Sequence, residues 1–450
     1  MKFNAVQKYF LVLLLLSFTS TSKVLFATSL DTLFVKGNDQ VKIDSIKITG
    51  NDATKDFIIR RELTINDGDW VTEKVIEYNR ERIFSLRLFT NVKLFVYQSN
   101  QKNILMIEVK ESWYIYPLVY FRSEYNSLNT STFGFSLLYK NFRGRNETIR
   151  TTVGFGYQPI YRLLYETPAL IYNEDIGLQV DLLYSDLVNK NVAAATIAGG
   201  AFKEKIIDNS ITLSKRFNQF NIAYLTVGFN YVETPFPGIE KFTASQSGID
   251  RALYAGISYI YDTRNLKEFS DNGLYVFGSF IHKGFGVDQI SYNIFGLDFR
   301  TYRNLIGDLS AKWRFAYRAT FGRSVPFYDY SYLGYEERVR GNFTNKREGN
   351  NYLLTSFEVN YPVIKELDFS LKLPLLPRSL TSARLGFYFG AFYDAGTTYN
   401  NGQALALNQF YSGYGIGFTV LVIPYSAVRF EYAINQDQKG EFIVATGFSF

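Results

Sequence analysis

From Trp113 to the terminal Phe450, apolar and polar residues alternate with a period of two, stretch after stretch. Successive side chains of a strand point to opposite faces, so this pattern dictates strands with two unlike faces. Between Phe410 and Val422, the apolar residues Tyr414, Ile416, Phe418 and Val420 alternate with Gly413, Gly415 and Gly417. Near Lys312, the aromatic residues Trp313, Phe315 and Tyr317 face opposite to Lys312, Arg314 and Arg318. In the last ten residues, Phe442, Val444, Phe448 and Phe450 oppose Glu441, Ala445, Gly447 and Ser449. One apolar face and one small or charged face suit a strand between lipid and a wet lumen. A two-sheet sandwich would bury its apolar faces equally well, so alternation alone leaves both architectures open. Arginines spaced by two along one strand fit the lumen better. At roughly 20 residues per strand with its connection, this region has room for about 16 strands.

No segment has the run of about 20 apolar residues that a membrane-spanning helix needs. The N-terminus carries Lys2 and Lys8, the short apolar run Tyr9–Phe18, and small residues with Ala27 as a candidate cleavage point. These features predict a signal peptide over residues 1–27 and a linker over 28–40. Cleavage removes Lys2, Lys8 and Lys23 and no acid, taking the formal net charge from +6 to +3. So small a charge is no argument for a nucleic-acid partner. Zero cysteine excludes disulfides, thiolate metal sites and an acylated lipoprotein anchor. The single histidine, His282, leaves little scope for a metal site or histidine catalysis, and no cofactor is expected.

Residues 41–111 read differently. Val41–Ile48 alternates as a half-buried strand, and Gly50-Asn51-Asp52 supplies turn and cap chemistry. After Gly68, the residues Val71, Val75, Tyr78, Ile83 and Leu86 recur near helical spacing. Two strands follow, Val92–Tyr97 and Ile104–Val109. The order is β-α-α-β-β, in a segment close to the smallest that holds an independent core. Residues 112–450 are then assigned to the barrel.

Parity singles out a constellation inside the barrel. On the strand Tyr352–Tyr361, the residues Leu353, Phe357 and Val359 form the apolar face, which turns Glu358 to the lumen. On the strand from Ser382, the residues Leu385, Phe387, Phe389 and Ala391 face lipid, and Arg384, Gly386, Gly390 and Asp394 face inward. A charge facing lipid near the midplane costs about 2–4 kcal/mol, so this parity is enforced. Two inward acids on nearby strands need a cation between them. Arg340, in the loop tripeptide Val339-Arg340-Gly341, has the planar fork to serve both. Arg-Gly pairs are common in loops and charges common in lumens, so the trio taken alone remains ambiguous.

The small domain resembles a POTRA module, chiefly through Phe84-Ser-Leu-Arg-Leu-Phe-Thr-Asn-Val92. The barrel region resembles the BamA/TamA superfamily of POTRA-barrel outer-membrane proteins. Pro326–Gly334 followed by Val339-Arg-Gly341 looks like that family's sixth extracellular loop, and Phe392-Tyr-Asp-Ala-Gly-Thr397 like its Phe-x-Asp-x-Gly strand. Asp262-Thr-Arg-Asn265 with Gly273, Tyr139–Arg145 and the terminal Phe450 agree with further family passages. The resemblance implies a mainly β fold: a 16-stranded transmembrane antiparallel barrel behind one periplasmic α+β domain. It also implies that Arg340 latches the loop onto Glu358 and Asp394, and that Phe448 and Phe450 form the barrel signal at the closing seam. Two departures stand out. Asn342 follows Arg-Gly where the family has an aromatic residue, with Phe343 one place late, and there is room for a single POTRA unit.

The implied function is assembly of outer-membrane proteins, in which a client strand adds by β-augmentation at a weakly paired seam. Glycines such as Gly415 and Gly417 would soften pairing near that seam. Expected partners are unfolded outer-membrane or secreted clients, the lipid bilayer and periplasmic accessory factors, with the chain itself monomeric. Export of one dedicated secreted or surface protein is the alternative. Catalysis would have to use His282, near Ser279 and Asp288 in the sequence, without any Gly-x-Ser-x-Gly elbow. The expectation is therefore not an enzyme. A passive porin would explain the barrel but neither the small domain nor Arg340.

Overall fold

The computed structural model describes residues 39–123, 128–334, 337–343 and 345–447. The expected signal peptide, the linker up to residue 38, and Phe448 and Phe450 lie outside the described residues.

The small domain comprises β1 (Val41–Lys42), β2 (Ser45–Thr49), α1 (Asp56–Arg60), β3 (Trp70–Val71), α2 (Glu73–Phe84), β4 (Phe89–Ser99) and β5 (Lys102–Glu111). Its sheet runs β2-β5-β4, with β2 parallel and β4 antiparallel to β5, and β1 pairs with β3 beside it. The expected β-α-α-β-β order stands, with this two-residue ladder as an addition. Alternate residues such as Ile46, Leu105 and Ile107 bury against Ile58, Ile83 and Phe84 of the two helices. Gly50 holds φ +81°, and a Cβ there would lie 2.1 Å from the Val109 carbonyl oxygen, so only glycine makes this turn.

The rest forms one antiparallel sheet of 16 strands. Its first half is β6 (Ile115–Ser123), β7 (Ser131–Phe142), β8 (Glu147–Gly156), β9 (Ile160–Ile171), β10 (Ile176–Val188), β11 (Lys203–Arg216), β12 (Asn221–Glu233) and β13 (Ile249–Asp262). The second half starts with β14 (Gly273–Lys283), β15 (Ser291–Asn304) and β16 (Ser310–Arg323). After a hairpin of β17 (Ser331–Leu333) and β18 (Arg347–Gly349) in the loop, the sheet resumes. It ends with β19 (Asn351–Ser370), β20 (Ser382–Tyr399), β21 (Tyr411–Ile423), β22 (Ser426–Asn435) and β23 (Gly440–Thr446). Each strand pairs with its chain neighbour, except that β16 pairs with β19 across the hairpin. The Ala-rich run after Asn191, readable as strand or loop, contains the helix α3 (Val192–Ile197), capped by the Asn191 side chain.

The small domain packs against the short-turn end of the sheet. Its core continues into Leu266, Phe269, Tyr388 and Leu421 of the barrel. Arg82, fully buried, bonds Glu62 Oε2 at 3.0 Å and donates to the carbonyl oxygen of Gln219 at 2.6 Å. Arg216 holds the other oxygen of Glu62 at 2.7 Å. Burial pushes the Glu62 carboxyl up, but Lys267, Arg216 and Arg82 together hold it down at about 2. Across the same junction, Arg384 bonds Glu81 and Arg80 bonds Glu366, each through two contacts of 2.7–2.9 Å. The turn between β13 and β14 folds inward beneath α2. Tyr78 donates to the Thr263 carbonyl at 3.0 Å, and Phe269 packs on the Tyr388 ring at 4.3 Å.

Candidate functional site: a loop arginine in the lumen

The connection between β16 and β19 does not stay outside the barrel. At its outer end, Asp329 accepts from Lys283 Nζ at 2.8 Å, and Tyr328 donates to Asp250 at 2.6 Å. Beyond the β17 residues the chain descends into the lumen. There Glu337 meets Arg314 through two hydrogen bonds of 2.7 and 2.9 Å, and Arg314 also bonds Asp298 at 2.7 Å.

Arg340 lies deeper and is buried. Its Nε and Nη2 each donate to Asp394 at 2.7 Å, a fork-to-fork pair, and its backbone N–H adds a third bond to the same carboxylate at 3.1 Å. Nη1 donates to Glu358 at 2.7 Å and to Glu431 at 3.0 Å. The guanidinium carbon sits 3.6 Å from the centroid of the Phe392 ring, which provides a cation–π face. Two further cations balance the three acids. Arg429 bonds Glu431 at 3.1 Å, and Lys312 stands opposite Glu358 in the β16–β19 ladder, its Nζ 3.4 Å from the Phe269 centroid. One loop residue thus ties together β19, β20 and β22.

The expected trio therefore comes together, with both acids on the lumen face where parity placed them. Sequence reasoning missed Glu431, although Arg429-Phe-Glu-Tyr432 carries the same alternation that exposed Glu358. It also missed Glu337 and Arg314 as a second clamp. On β21, Gly413 makes room for the loop, and Gly415 for its neighbours. A Cβ at Gly413 would stand 1.8 Å from the Arg340 carbonyl oxygen, and one at Gly415 would stand 2.8 Å from the Phe392 ring. On the other side of the tripeptide, Val339 packs where Gly396 leaves space. Asn342 is buried and donates to the Ser412 carbonyl at 3.0 Å. Phe343, one place late, is left partly exposed beside Arg338. His282 pairs its Nδ1 with Asn293 at 2.9 Å, on the face of β14 opposite to Ser279; the Asp288 side chain lies outside the described residues. No catalytic pair forms between His282 and Ser279.

Comparisons with known proteins bear on the fold. The Omp85 superfamily domain matches residues 141–450, and a POTRA domain described as a surface antigen variable number repeat matches residues 41–112. The outer membrane protein assembly factor BamA of Neorickettsia risticii (strain Illinois) is 31% identical over 81 residues, which cover 18% of this chain and 11% of that protein. BamA from Haemophilus ducreyi lacking POTRA domains 1–3 shares the fold at a TM-score of 0.51 and 18% identity, covering 90% of this chain and 84% of that one. CdiB from Escherichia coli matches at 0.51 and 12% identity, over 90% and 75%. The chain belongs to the Omp85 superfamily, as an outer-membrane β-barrel that carries a periplasmic POTRA domain.

Proposed function

We propose that this protein assists the insertion and folding of β-barrel clients in the outer membrane, by strand addition at the seam between β6 and β23. The observation that carries this reading is the position of the latch relative to the last strand. Arg340 ties β19, β20 and β22 into one block, and β23 lies just beyond it, paired with β22 and, among the described residues, joined to β6 by no ladder. A sheet edge in lipid leaves backbone groups that each cost several kcal/mol until paired. A terminal strand backed by a rigid block on one side therefore favours adding a strand on the other over disordering the barrel. Val339, Arg340 and Gly341 act as the latch, Glu358, Asp394 and Glu431 as its seat, and folding of the client supplies the energy. Depletion followed by proteomics of the outer membrane and medium tests this: a broad fall in barrel proteins is expected, and unchanged levels would contradict it.

Export of one dedicated polypeptide is the second reading. It is favoured by a cleft of about 990 Å³ where α2 and β4 of the POTRA domain face the barrel mouth, bordered by Arg80, Glu366 and Tyr388. In the same experiment, loss of a single secreted or surface protein would select it.

A further inference from the structure

The ladder between β16 and β19 stops at Ser310 and Asn360, yet β19 runs ten residues further to Ser370. That extension and the start of β20 form a hairpin on the periplasmic side, joined through two bulges. The hairpin base grips the POTRA domain through Glu366 to Arg80, Asp368 to Asn91 and Arg384 to Glu81. Its tip reads Leu371-Lys-Leu-Pro-Leu-Leu-Pro-Arg378 and leads into α4 (Arg378–Thr381). There Leu373 and Leu376 are partly exposed, and Leu375 is fully exposed at φ +69°. A leucine held in the left-handed region is an uncommon and costly conformation that marks a constrained segment. Three adjacent exposed leucines in water would be an association hazard.

We infer that this tip is an interfacial anchor that dips into the periplasmic leaflet of the outer membrane. Three observations select lipid as the occupant. First, the exposed apolar row of β19, with Phe357, Tyr361 and Val363, leads from the lipid-facing wall towards the tip. Second, the tip is pinned at membrane level. Trp113, the residue two places before β6, donates its backbone N–H to the Ser379 carbonyl at 3.1 Å, and Tyr425 in the β21–β22 turn donates to the Leu380 carbonyl at 2.7 Å. Trp113 is itself partly exposed, as interfacial tryptophans are. Third, Lys372 and Arg378 flank the leucines, both exposed and without an ion-pair partner among the described residues. Apolar side chains bracketed by cations match acyl chains beneath lipid phosphates. With its base clamped to POTRA and its tip in the leaflet, the hairpin holds the POTRA domain at a fixed attitude to the bilayer.

Because the chain has no cysteine, single labels test this directly. A fluorophore on Leu375→Cys is read in full-length protein in nanodiscs of phosphatidylethanolamine and phosphatidylglycerol, with nitroxide-bearing lipids or aqueous iodide as quencher. The lipid-facing Val119→Cys and the exposed POTRA site Asp67→Cys bracket the scale. Residue 375 should resemble 119, quenched by lipid nitroxides and several-fold less by iodide than 67. The triple variant Leu373→Asp, Leu375→Asp, Leu376→Asp should still fold, since these side chains leave the core untouched, while α2 of its POTRA domain exchanges amide hydrogens faster. A label at 375 that iodide reaches as readily as at 67 overturns the anchor. Shielding that appears only after an unfolded client polypeptide is added also overturns it, and assigns the tip to polypeptide instead.

Discussion

Arg340 and Asp394 meet through two parallel hydrogen bonds of 2.7 Å, and the backbone N–H of Arg340 binds the same carboxylate. Side chain and main chain of one loop residue are thus fixed by one acid of one strand. Replacing Arg340 by Ala strands Asp394 in a buried lumen and takes one partner each from Glu358 and Glu431. Removing one partner of such a buried cluster costs about 3–5 kcal/mol. The variant should show reduced barrel levels and lose its heat-modifiable shift on gels. Arg340→Lys should give only partial rescue, because an ammonium cannot make the forked pair.

Gly413 is a separate test of the loop seat, since it carries no charge. A Cβ there would stand 1.8 Å from the Arg340 carbonyl oxygen. Gly413→Val should expel the tripeptide from the lumen while the strands still fold, seen as new trypsin cleavage at Arg338 or Arg340 in intact cells. Gly278→Ala is the control, with no atom within 4 Å of the added carbon, and it should leave the loop protected.

Much of this site was legible in the sequence because the physics behind it is local. A strand alternates, and a charge facing lipid is penalised, so Glu358 and Asp394 were placed by parity alone. Glu431 obeys the same rule, in Arg429-Phe-Glu-Tyr432, and was not picked out. The partners of Glu337 and the seat at Gly413 depend on how far the loop descends, which no short-range pattern encodes. Gly413 makes room for the Arg340 carbonyl, and Gly415 for the Tyr432 carbonyl and the Phe392 ring, close approaches that alternation does not encode. The POTRA docking was hidden for another reason. Arg82 is recognised chiefly by the carbonyl of Gln219 and its neighbours in the turns, and backbone carbonyls have no signature in sequence.

The contribution of Glu62 to the docking junction should depend on pH in one direction, opposite to that of Glu81, whose carboxyl burial pushes up. Glu62, buried among Lys267, Arg216 and Arg82, is held at about 2, below the value of about 4.3 for an unfolded glutamate. A lowered folded-state value gives stability that is complete above about 4.3 and lost as pH falls towards about 2. The part of α2 hydrogen exchange that depends on Glu62 should therefore rise only below about pH 4, after correction for the intrinsic rate. Glu62→Gln should exchange fast at neutral pH and lose much of that dependence.

The second clamp should be partly independent of the first. Arg314→Ala removes both bonds to Glu337 and also frees Asp298, although Arg300 still binds Asp298 at 2.7 and 2.8 Å. We expect a smaller loss of heat stability than for Arg340→Ala. Loop protease sensitivity should rise around Glu337, while the Arg340 cluster holds. Equal loss in both variants would show a single cooperative unit.

The central claim is that a client strand adds at the edge of β23, and the cysteine-free chain allows a clean measurement. Cysteines placed singly at Val444 on β23 and at Thr419 in the lumen are tested for disulfide formation with single cysteines along the last strand of a stalled barrel client. Bonds at residue 444 should follow the period of two along the client strand, with none at 419. Bonds at 419 without any at 444 would mean that the client threads through the lumen, and would contradict insertion at the seam.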